Sequence, residues 1–370
     1  MPGRCLSSSD RRARGALHSA EVVRLTRFWG ADTVPVLTCD RARQPFPRIK
    51  EDVLLHSNVV SCVGSTPMVQ LQRLFGADAP RVYAKLEFLN PAGSVKDRAA
   101  RYVIERGVED GVLKPDTHVV ESTSGNFGVA LAMMASIYHL RLTLVVDPNI
   151  TASNLTILKS FGATIDMVDV PAPQGGYLEA RIDRVRQLLT ADPSSVWINQ
   201  YANALIPRAH HLTAAEILAD LPGPVDYLVL AVSTTGTLVG IAERLKQAHP
   251  RLRVVAVDAV GSVVFGTPAG PRRLPGIGAS RVPELLDMRL IDQVIHVTDD
   301  EAIAGCRDLV AREAIFAGGS SGSVIAAIQK LVPAVAPLSS IVTLLPDRGD
   351  RYLDLVYADR AAHRDSGPPR

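Results

Sequence analysis

The chain has 370 residues, of which 47% are hydrophobic and 21% charged, which is typical of a soluble globular protein long enough for two domains. Its net charge of +2 is uneven, because residues 1–50 carry nine Arg and one Lys against three Asp and one Glu, a local +6 that leaves about −4 on the remainder. The globular part therefore does not show the basic surplus that is typical of nucleic-acid-binding proteins.

The first 50 residues contain no pattern that predicts a catalytic or binding site. They begin with an Arg- and Ser-rich stretch and lack the apolar core of a signal peptide, so we expect a poorly ordered extension, with an amphipathic targeting segment as the alternative.

The four cysteines form no CxxC pair, which predicts neither a metal site nor a disulfide framework and is typical of a cytoplasmic protein. No apolar run reaches transmembrane length. Residues 361–370 are expected to form a loose tail.

From residue 80 onward, short runs rich in Val, Ile and Leu alternate with helical patterns. Such runs predict the strands of parallel sheets that are buried on both faces, and their number favours two sheets in an α/β fold. The predicted strands are RVYAKLEFL, THVVES, RLTLVV, TIDMVDV, VWINQ, YLVLAV, RVVAVD, QVIHV and SIVTLL. The predicted helices between them include NFGVALAMMASIYH, ASNLTILKSFG, YLEARIDRVRQLLTA and GTLVGIAERLKQAHP.

Lys96 stands in the stretch LNPAGSVKDRAA, residues 89–100, behind a Pro-Ala-Gly-Ser turn and at the start of a predicted helix. A helix N-terminus is electropositive and favours an anion over a cation. When this motif is taken alone, a solvated lysine with its stem on the helix surface is the simpler explanation. A functional interpretation depends on the other loops.

Three further loops follow predicted strands and begin helices, with an unusual density of small polar residues. ESTSGNFGVALA, residues 121–132, brings hydroxyl and N–H groups together as an anion site would, although a helix cap uses the same residue types. LAVSTTGTLVG, residues 230–240, fits a phosphate cradle and is neither a Walker A loop nor a GxGxxG motif. IFAGGSSGSVIAA, residues 315–327, either presents Ser320 from a glycine turn or is simply a glycine-rich helix start.

A lysine, a carboxylate-binding loop, a phosphate-binding loop and a presented serine are the groups that pyridoxal 5′-phosphate (PLP) requires. The motifs GSVKDRA, STSGN, PGIGASRVPELLD and GGSSG occur in the order and spacing of the fold-type II PLP enzymes, the cysteine synthase and cystathionine β-synthase family. The chain resembles this family from about Val63 to Tyr357. Within it, stretches such as WINQYAN and VSTTG are most similar to the N-(2-amino-2-carboxyethyl)-L-glutamate synthases, which supply 2,3-diaminopropionate for siderophore (staphyloferrin B) and peptide-antibiotic biosynthesis.

The resemblance implies a role for each matching residue. Lys96 matches the lysine that binds PLP as a Schiff base and then removes the Cα proton of the substrate. Asn126 matches the residue that bonds the ring hydroxyl. Ser320 matches the partner of the ring nitrogen, where a neutral hydroxyl favours prompt loss of a β-substituent. The other matches are the substrate-carboxylate loop, Thr123, Ser124 and Gly125 with Gln200, and the cofactor-phosphate loop, Ser233, Thr234, Thr235, Gly236 and Thr237.

The reaction implied is a β-replacement in which O-phospho-L-serine loses phosphate and the α-amine of L-glutamate adds at Cβ. Phe127, where cysteine synthases usually have Thr, and a phosphate loop that is not dominated by glycine argue against sulfide as the second substrate. Tyr201 is a candidate pocket wall, and Ser233 is expected to face the substrate. Arg281, in GIGASRVPE, is expected to bind the phosphate leaving group unless it simply pairs with Glu284.

The fold implied is that of the tryptophan synthase β-like enzymes, with two α/β domains and the cofactor in the cleft between them. A small mobile domain, residues 90–203, would carry Lys96, and a large domain would combine residues 51–89 with 204–360. The family is usually homodimeric. The alternatives are a cysteine synthase, a catalytically silent binding protein of the same fold, and a dinucleotide-binding oxidoreductase, against which the missing GxGxxG argues.

Overall fold

The computed structural model describes residues 55–76, 78–173, 176–221 and 223–358. The predicted extension at residues 1–50 and the predicted tail at residues 361–370 lie outside the described residues.

Ten strands are found in the described residues. Nine of them begin within one residue of the start of a run predicted from the sequence, and β1 is the exception. They are β1 (Met68–Gln70), β2 (Arg81–Lys85), β3 (His118–Ser122), β4 (Arg141–Val146), β5 (Thr164–Met167), β6 (Val196–Trp197), β7 (Tyr227–Ala231), β8 (Arg253–Ala259), β9 (Gln293–Val297) and β10 (Ser340–Leu344).

The α-helices separate these strands as the alternating pattern predicts. They are α1 (Lys96–Glu109), α2 (Asn126–Ile137), α3 (Ala152–Ser160), α4 (Gly176–Ala191), α5 (Leu205–Asp220), α6 (Gly236–Ala248), α7 (Asp299–Glu313) and α8 (Gly319–Leu331). Single turns of 3₁₀-helix lie at Val59–Cys62, Glu87–Leu89, Met288–Leu290, Val332–Ala334 and Gly349–Tyr352, and a π-helical turn at Leu353–Tyr357. None of these helices combines the length and apolar character that crossing a membrane requires.

The strands form two sheets, which confirms the predicted α/β class. The larger sheet has the order β1-β2-β10-β7-β8-β9, and the smaller has the order β5-β4-β3-β6. Every pairing is parallel except that of β1 with β2, where Met68 lies opposite Lys85. Because the smaller sheet takes all its strands from residues 118–197, its sequence range falls within the predicted small domain. The division into a mobile and a fixed domain stays a prediction.

A buried ion network fixes the start of α1, the helix that carries Lys96. Arg98 donates from Nε to Glu87 at 2.6 Å and from Nη1 to Glu216 on α5 at 2.7 Å. Lys85, which is fully buried at the end of β2, lies 3.0 Å from the other oxygen of Glu216. Charges buried in this way are stable only when each has a partner, so the network holds β2, α1 and α5 in one arrangement.

Candidate active site

A cavity of about 240 Å³ lies where β3 and β7 end and α1, α2, α6 and α8 begin. Parallel sheets bring the carboxyl ends of their strands to one edge, which is where binding sites in such folds form. All but two of the site residues predicted from the sequence line this cavity. They are Lys96, Thr123, Ser124, Gly125, Asn126, Gln200, Tyr201, Ser233, Thr234, Thr235, Thr237 and Ser320.

Lys96 is the first residue of α1, and its side chain lines the cavity. Its ammonium group makes no hydrogen bond or ion pair with another described residue. Loss of hydration lowers the pKa of Lys96 to about 8, and the negative charge of Asp347 opposes this shift. A substantial fraction of this lysine is therefore neutral near physiological pH, as a nucleophile or base requires.

The loop between β7 and α6 is strained where it begins the helix. Thr235, the N-cap of α6, has φ of 62°, a left-handed conformation that is unfavourable for a β-branched residue. The Thr235 hydroxyl is buried and has no hydrogen-bond partner among the described residues. Thr237 lies two residues further on, with its hydroxyl 3.1 Å from Nε2 of His210. An unpartnered hydroxyl at the N-terminus of a long helix suits a bound anion.

His210 lies on α5 beneath this loop and is fully buried. Burial lowers the pKa of His210 well below its ordinary value, and the nearby charge of Lys96 lowers it further. The ring is therefore neutral, with Nδ1 3.2 Å from the Thr213 hydroxyl and Nε2 next to Thr237. A neutral ring in this position orients the Thr237 hydroxyl without adding a charge to the loop.

The loop that follows β3 lies opposite. The Ser124 hydroxyl accepts a hydrogen bond from Arg181 at 3.4 Å, and the Ser124 carbonyl accepts one from Asn154 at 3.1 Å. Gln200 donates from Nε2 to the carbonyl of Ser122 at 3.0 Å, which fixes its amide next to the loop. Side chains and backbone amides at the start of α2 therefore converge on one side of the cavity.

Asn126, the first residue of α2, is bonded on both sides of its amide. It donates to the Asp347 carboxylate at 2.7 Å and accepts from Arg351. Asp347 is 1% exposed and also accepts from the Tyr352 hydroxyl at 2.5 Å, while its Oδ1 has no partner among the described residues. Burial raises the pKa of Asp347, and the bonds from Tyr352 and Asn126 oppose this shift. The loop after β10 thus orients the amide of Asn126.

Ser320 lies in the first turn of α8, and only 3% of it is exposed although it lines the cavity. Its hydroxyl makes no hydrogen bond with another described residue, so it remains available to a ligand. The Ser233 hydroxyl is not similarly available as a donor, because it donates to the carbonyl of Gly278 at 3.1 Å.

Two predicted residues do not line the cavity. A side chain at Gly236 would collide with Ile206, since an added Cβ would lie 2.7 Å from Cγ2 of that residue. Glycine is therefore needed there for helix packing. Arg281 lies 3.3 Å from Glu179, also pairs with Glu284, and stacks over the Tyr201 ring at 5.9 Å. Its predicted role as a phosphate ligand stays a prediction.

Arg181 is the main site residue that reasoning from the sequence missed. It belongs to α4, lines the cavity, and lies 3.2 Å from Asp147 as well as close to Ser124. It stands in the stretch GGYLEARI, which follows the pattern of the synthases that the chain resembles, but nothing local assigns a role to the arginine. Only the docking of α4 against the smaller sheet brings it to the cavity.

Comparisons with known proteins agree with this geometry. A family model described as pyridoxal-phosphate dependent enzyme matches residues 59–347. N-(2-amino-2-carboxyethyl)-L-glutamate synthase of Ralstonia nicotianae is 57% identical over 307 residues, 83% of this chain and 91% of the relative. The protein of the same name from Cupriavidus metallidurans is 56% identical over 308 residues, 82% of this chain and 90% of the relative. The crystal structure of O-acetylserine dependent cystathionine β-synthase from Helicobacter pylori has a TM-score of 0.76 and 31% identity, covering 82% of this chain and 100% of that one.

Proposed function

Because the chain belongs to the family of pyridoxal-phosphate-dependent enzymes, we propose that it joins O-phospho-L-serine and L-glutamate to give N-(2-amino-2-carboxyethyl)-L-glutamate and phosphate. The observation that carries this proposal is the 57% identity to a synthase of that name over 91% of its length. The product would supply 2,3-diaminopropionate for siderophore or peptide natural-product biosynthesis.

The residues of the cavity fit the cofactor. The buried, unpartnered hydroxyl of Thr235 and the N-terminus of α6 form a cradle for its phosphate. Lys96 is available to bind it covalently, and the free hydroxyl of Ser320 can bond its ring nitrogen. Once bound, PLP withdraws electrons from the bonds at Cα of an amino acid.

The chain's own residues would then bind the substrate and move its proton. The loop Thr123–Gly125 with Gln200 can hold the carboxylate of O-phosphoserine, because their donors converge at the N-terminus of α2. Lys96 Nζ, with a pKa of about 8, can accept the Cα proton and later return it. The bond from Cβ to the phosphate oxygen breaks, and a bond from Cβ to the glutamate nitrogen forms.

The dianionic leaving group needs a cation, and Arg181 is placed to supply one. Its guanidinium lines the cavity next to Ser124 of the carboxylate loop. An arginine fork matches phosphate oxygens in two parallel hydrogen bonds. We assign Arg181 to the phosphate of O-phosphoserine in preference to Arg281, which does not line the cavity and pairs with Glu179 and Glu284.

A cytoplasmic homodimer with a small domain that closes over the substrate is the expected form of the enzyme, on the precedent of its family. Closure would exclude water from the reacting Cβ, which prevents hydrolysis in place of transfer. Light scattering of the purified protein measures the oligomeric state.

The alternative function is a cysteine synthase with O-acetylserine or O-phosphoserine and sulfide. Incubation of the holoenzyme with O-phosphoserine and either glutamate or sulfide, followed by mass spectrometry, separates the two functions. We expect the glutamate adduct to form faster at equal concentration. Cysteine as the main product in a mixture of both nucleophiles would refute the proposal.

A further inference from the structure

A second cavity of about 760 Å³ adjoins the active-site cavity. The two share four lining residues, Arg181, Tyr201, Pro275 and Gly276. The two cavities therefore lie side by side. A second substrate whose amine attacks Cβ after phosphate has left needs a binding space next to the first cavity.

Arg272 lines this second cavity and is only partly exposed. Burial lowers the pKa of its guanidinium, while the charges of Asp258 and Asp299 oppose that shift. Its hydrogen bonds go to neutral acceptors alone, the carbonyl of Ile277 at 3.2 Å and the hydroxyl of Ser280 at 3.0 Å. No carboxylate among the described residues lies within ion-pair distance of it.

The neighbouring arginines, unlike Arg272, each have a carboxylate within ion-pair distance. Arg181 lies 3.2 Å from Asp147. Arg273 lies 3.4 Å from Asp299 and 2.6 Å from Asp300. A partly buried cation that no carboxylate contacts directly is less stable than a paired one. A guanidinium in a cavity wall whose direct partners are all neutral is therefore suited to bind an anion from solution.

The guanidinium of Arg272 packs against the backbone at Gly278, next to the active-site loop. Gly278 has a φ of 72°, and a Cβ added to it would lie 2.5 Å from Nη1 of Arg272. Gly278 donates to the carbonyl of Val232 at 2.7 Å and accepts from the Ser233 hydroxyl at 3.1 Å. The cation is thus held against the loop that cradles the cofactor phosphate, and only glycine allows this close approach.

We propose that Arg272 binds the side-chain carboxylate of the amine donor, so that the second cavity selects a dicarboxylic amino acid. This inference rests on the proposed function and deepens it. The first substrate has its own binding groups in the inner cavity, the Thr123–Gly125 loop and Arg181. The outer position of Arg272 suits the second substrate, whose amine must point inward while its carboxylates stay behind.

Two stages of the reaction separate binding of the donor from binding of O-phosphoserine. Holoenzyme is first mixed with O-phosphoserine alone, and phosphate release is measured in a single turnover. Glutamate or glutamine is then added, and product formation is measured against its concentration. The variants are Arg272→Gln, the charge-retaining Arg272→Lys, and Arg273→Gln as the matched control with a neutralised charge.

We expect Arg272→Gln to release phosphate normally and to raise the half-saturating glutamate concentration about ten- to a hundredfold, with little change for glutamine. Its preference for glutamate over glutamine should fall by the same factor, while Arg272→Lys and Arg273→Gln keep the preference. An unchanged preference in Arg272→Gln overturns the inference, as do equal losses with both amines or slowed phosphate release. A wild-type enzyme that releases phosphate but never couples glutamate refutes the proposed function itself, and the inference with it.

Discussion

Asn126 donates its side-chain amide to the buried carboxylate of Asp347 at 2.7 Å, and the same carboxylate raises the pKa of Lys96. The loop after β10 therefore acts on two groups that the sequence assigns to the cofactor. Asp347 acts on Lys96 through its negative charge, since burial alone would place the pKa of Lys96 lower.

The first prediction concerns the pH dependence of cofactor binding. Below its pKa of about 8, Lys96 is protonated and cannot attack the aldehyde, so the rate at which apoenzyme takes up PLP should rise with pH around a midpoint of about 8. Asp347→Asn removes the charge that raises this pKa, so its midpoint should lie lower. Asp350→Asn, an exposed carboxylate paired with Arg348, is the control. Equal midpoints in Asp347→Asn and wild type would contradict the assignment.

The second prediction identifies the covalent anchor. Purified protein with PLP should be yellow, and borohydride should fix the cofactor to the peptide that contains Lys96. Lys96→Ala should take up no covalent label and lose turnover, while the exposed Lys114→Ala should behave as wild type. Label on any other lysine of the native protein would disprove the assignment.

The third prediction concerns the neutral partner of the ring nitrogen. Ser320→Asp places a carboxylate at a position that is 3% exposed. We expect turnover to fall and the cofactor spectrum to change, because a carboxylate keeps the ring nitrogen protonated and a protonated ring stabilises the negative charge at Cα. Ser320→Ala removes the hydrogen bond without adding a charge and should cost less. Unchanged turnover and spectra in Ser320→Asp would remove this role from the residue.

The fourth prediction compares two arginines. Arg181→Gln should raise the KM for O-phosphoserine about ten- to a hundredfold, since a hydrogen bond to a charged group contributes roughly 1.5–3 kcal/mol. Arg281→Gln should change it by no more than about fivefold, because its partly exposed ion pairs contribute little. Steady-state kinetics with O-acetylserine, if it is used, is the control for a general structural effect. A larger effect of Arg281 would restore it as the phosphate ligand.

The fifth prediction concerns the groups near the attacking amine. Tyr201→Phe should weaken glutamate use about ten- to a hundredfold while phosphate release from O-phosphoserine alone is preserved, and Ser233→Ala should weaken it less, because the Ser233 hydroxyl already donates to Gly278. Ser233 acts partly through Gly278, so its loss should also loosen the wall that holds Arg272. Time courses with glutamate, aspartate and sulfide measure the second stage. Faster reaction with sulfide than with glutamate in the wild type would favour a cysteine synthase.

Much of the fold and of the site was predictable because it is local. Strand β4 coincides with the run RLTLVV, since a strand buried on both faces must be largely apolar. Strand β9 coincides with QVIHV, although it lies at the edge of its sheet and is mostly only partly buried. Lys96 and Ser320 stand beside turns at helix starts, where small residues and backbone N–H groups mark a binding loop within a few residues. These signals need no knowledge of distant contacts.

Other features depend on contacts across the chain. Strand β1 has three residues and no apolar pattern, and it exists through its antiparallel pairing with β2. Arg181 reaches the cavity, and His210 reaches Thr237 behind it, only through helix docking. No neighbouring motif marks His210, and the stretch around Arg181 assigns no role to the arginine.

The sequence by itself determined the α/β class and indicated the cofactor and the loops expected to bind it, because each is encoded by residues adjacent in the chain. Tertiary structure alone decided which charges are paired. Arg281 and Arg272 stand nine residues apart in similar loop sequence, yet one is engaged by two carboxylates and the other by neutral acceptors alone. The physical reason is that an ion pair depends on distances of a few ångströms between residues from separate elements, and spacing along the chain does not fix such distances.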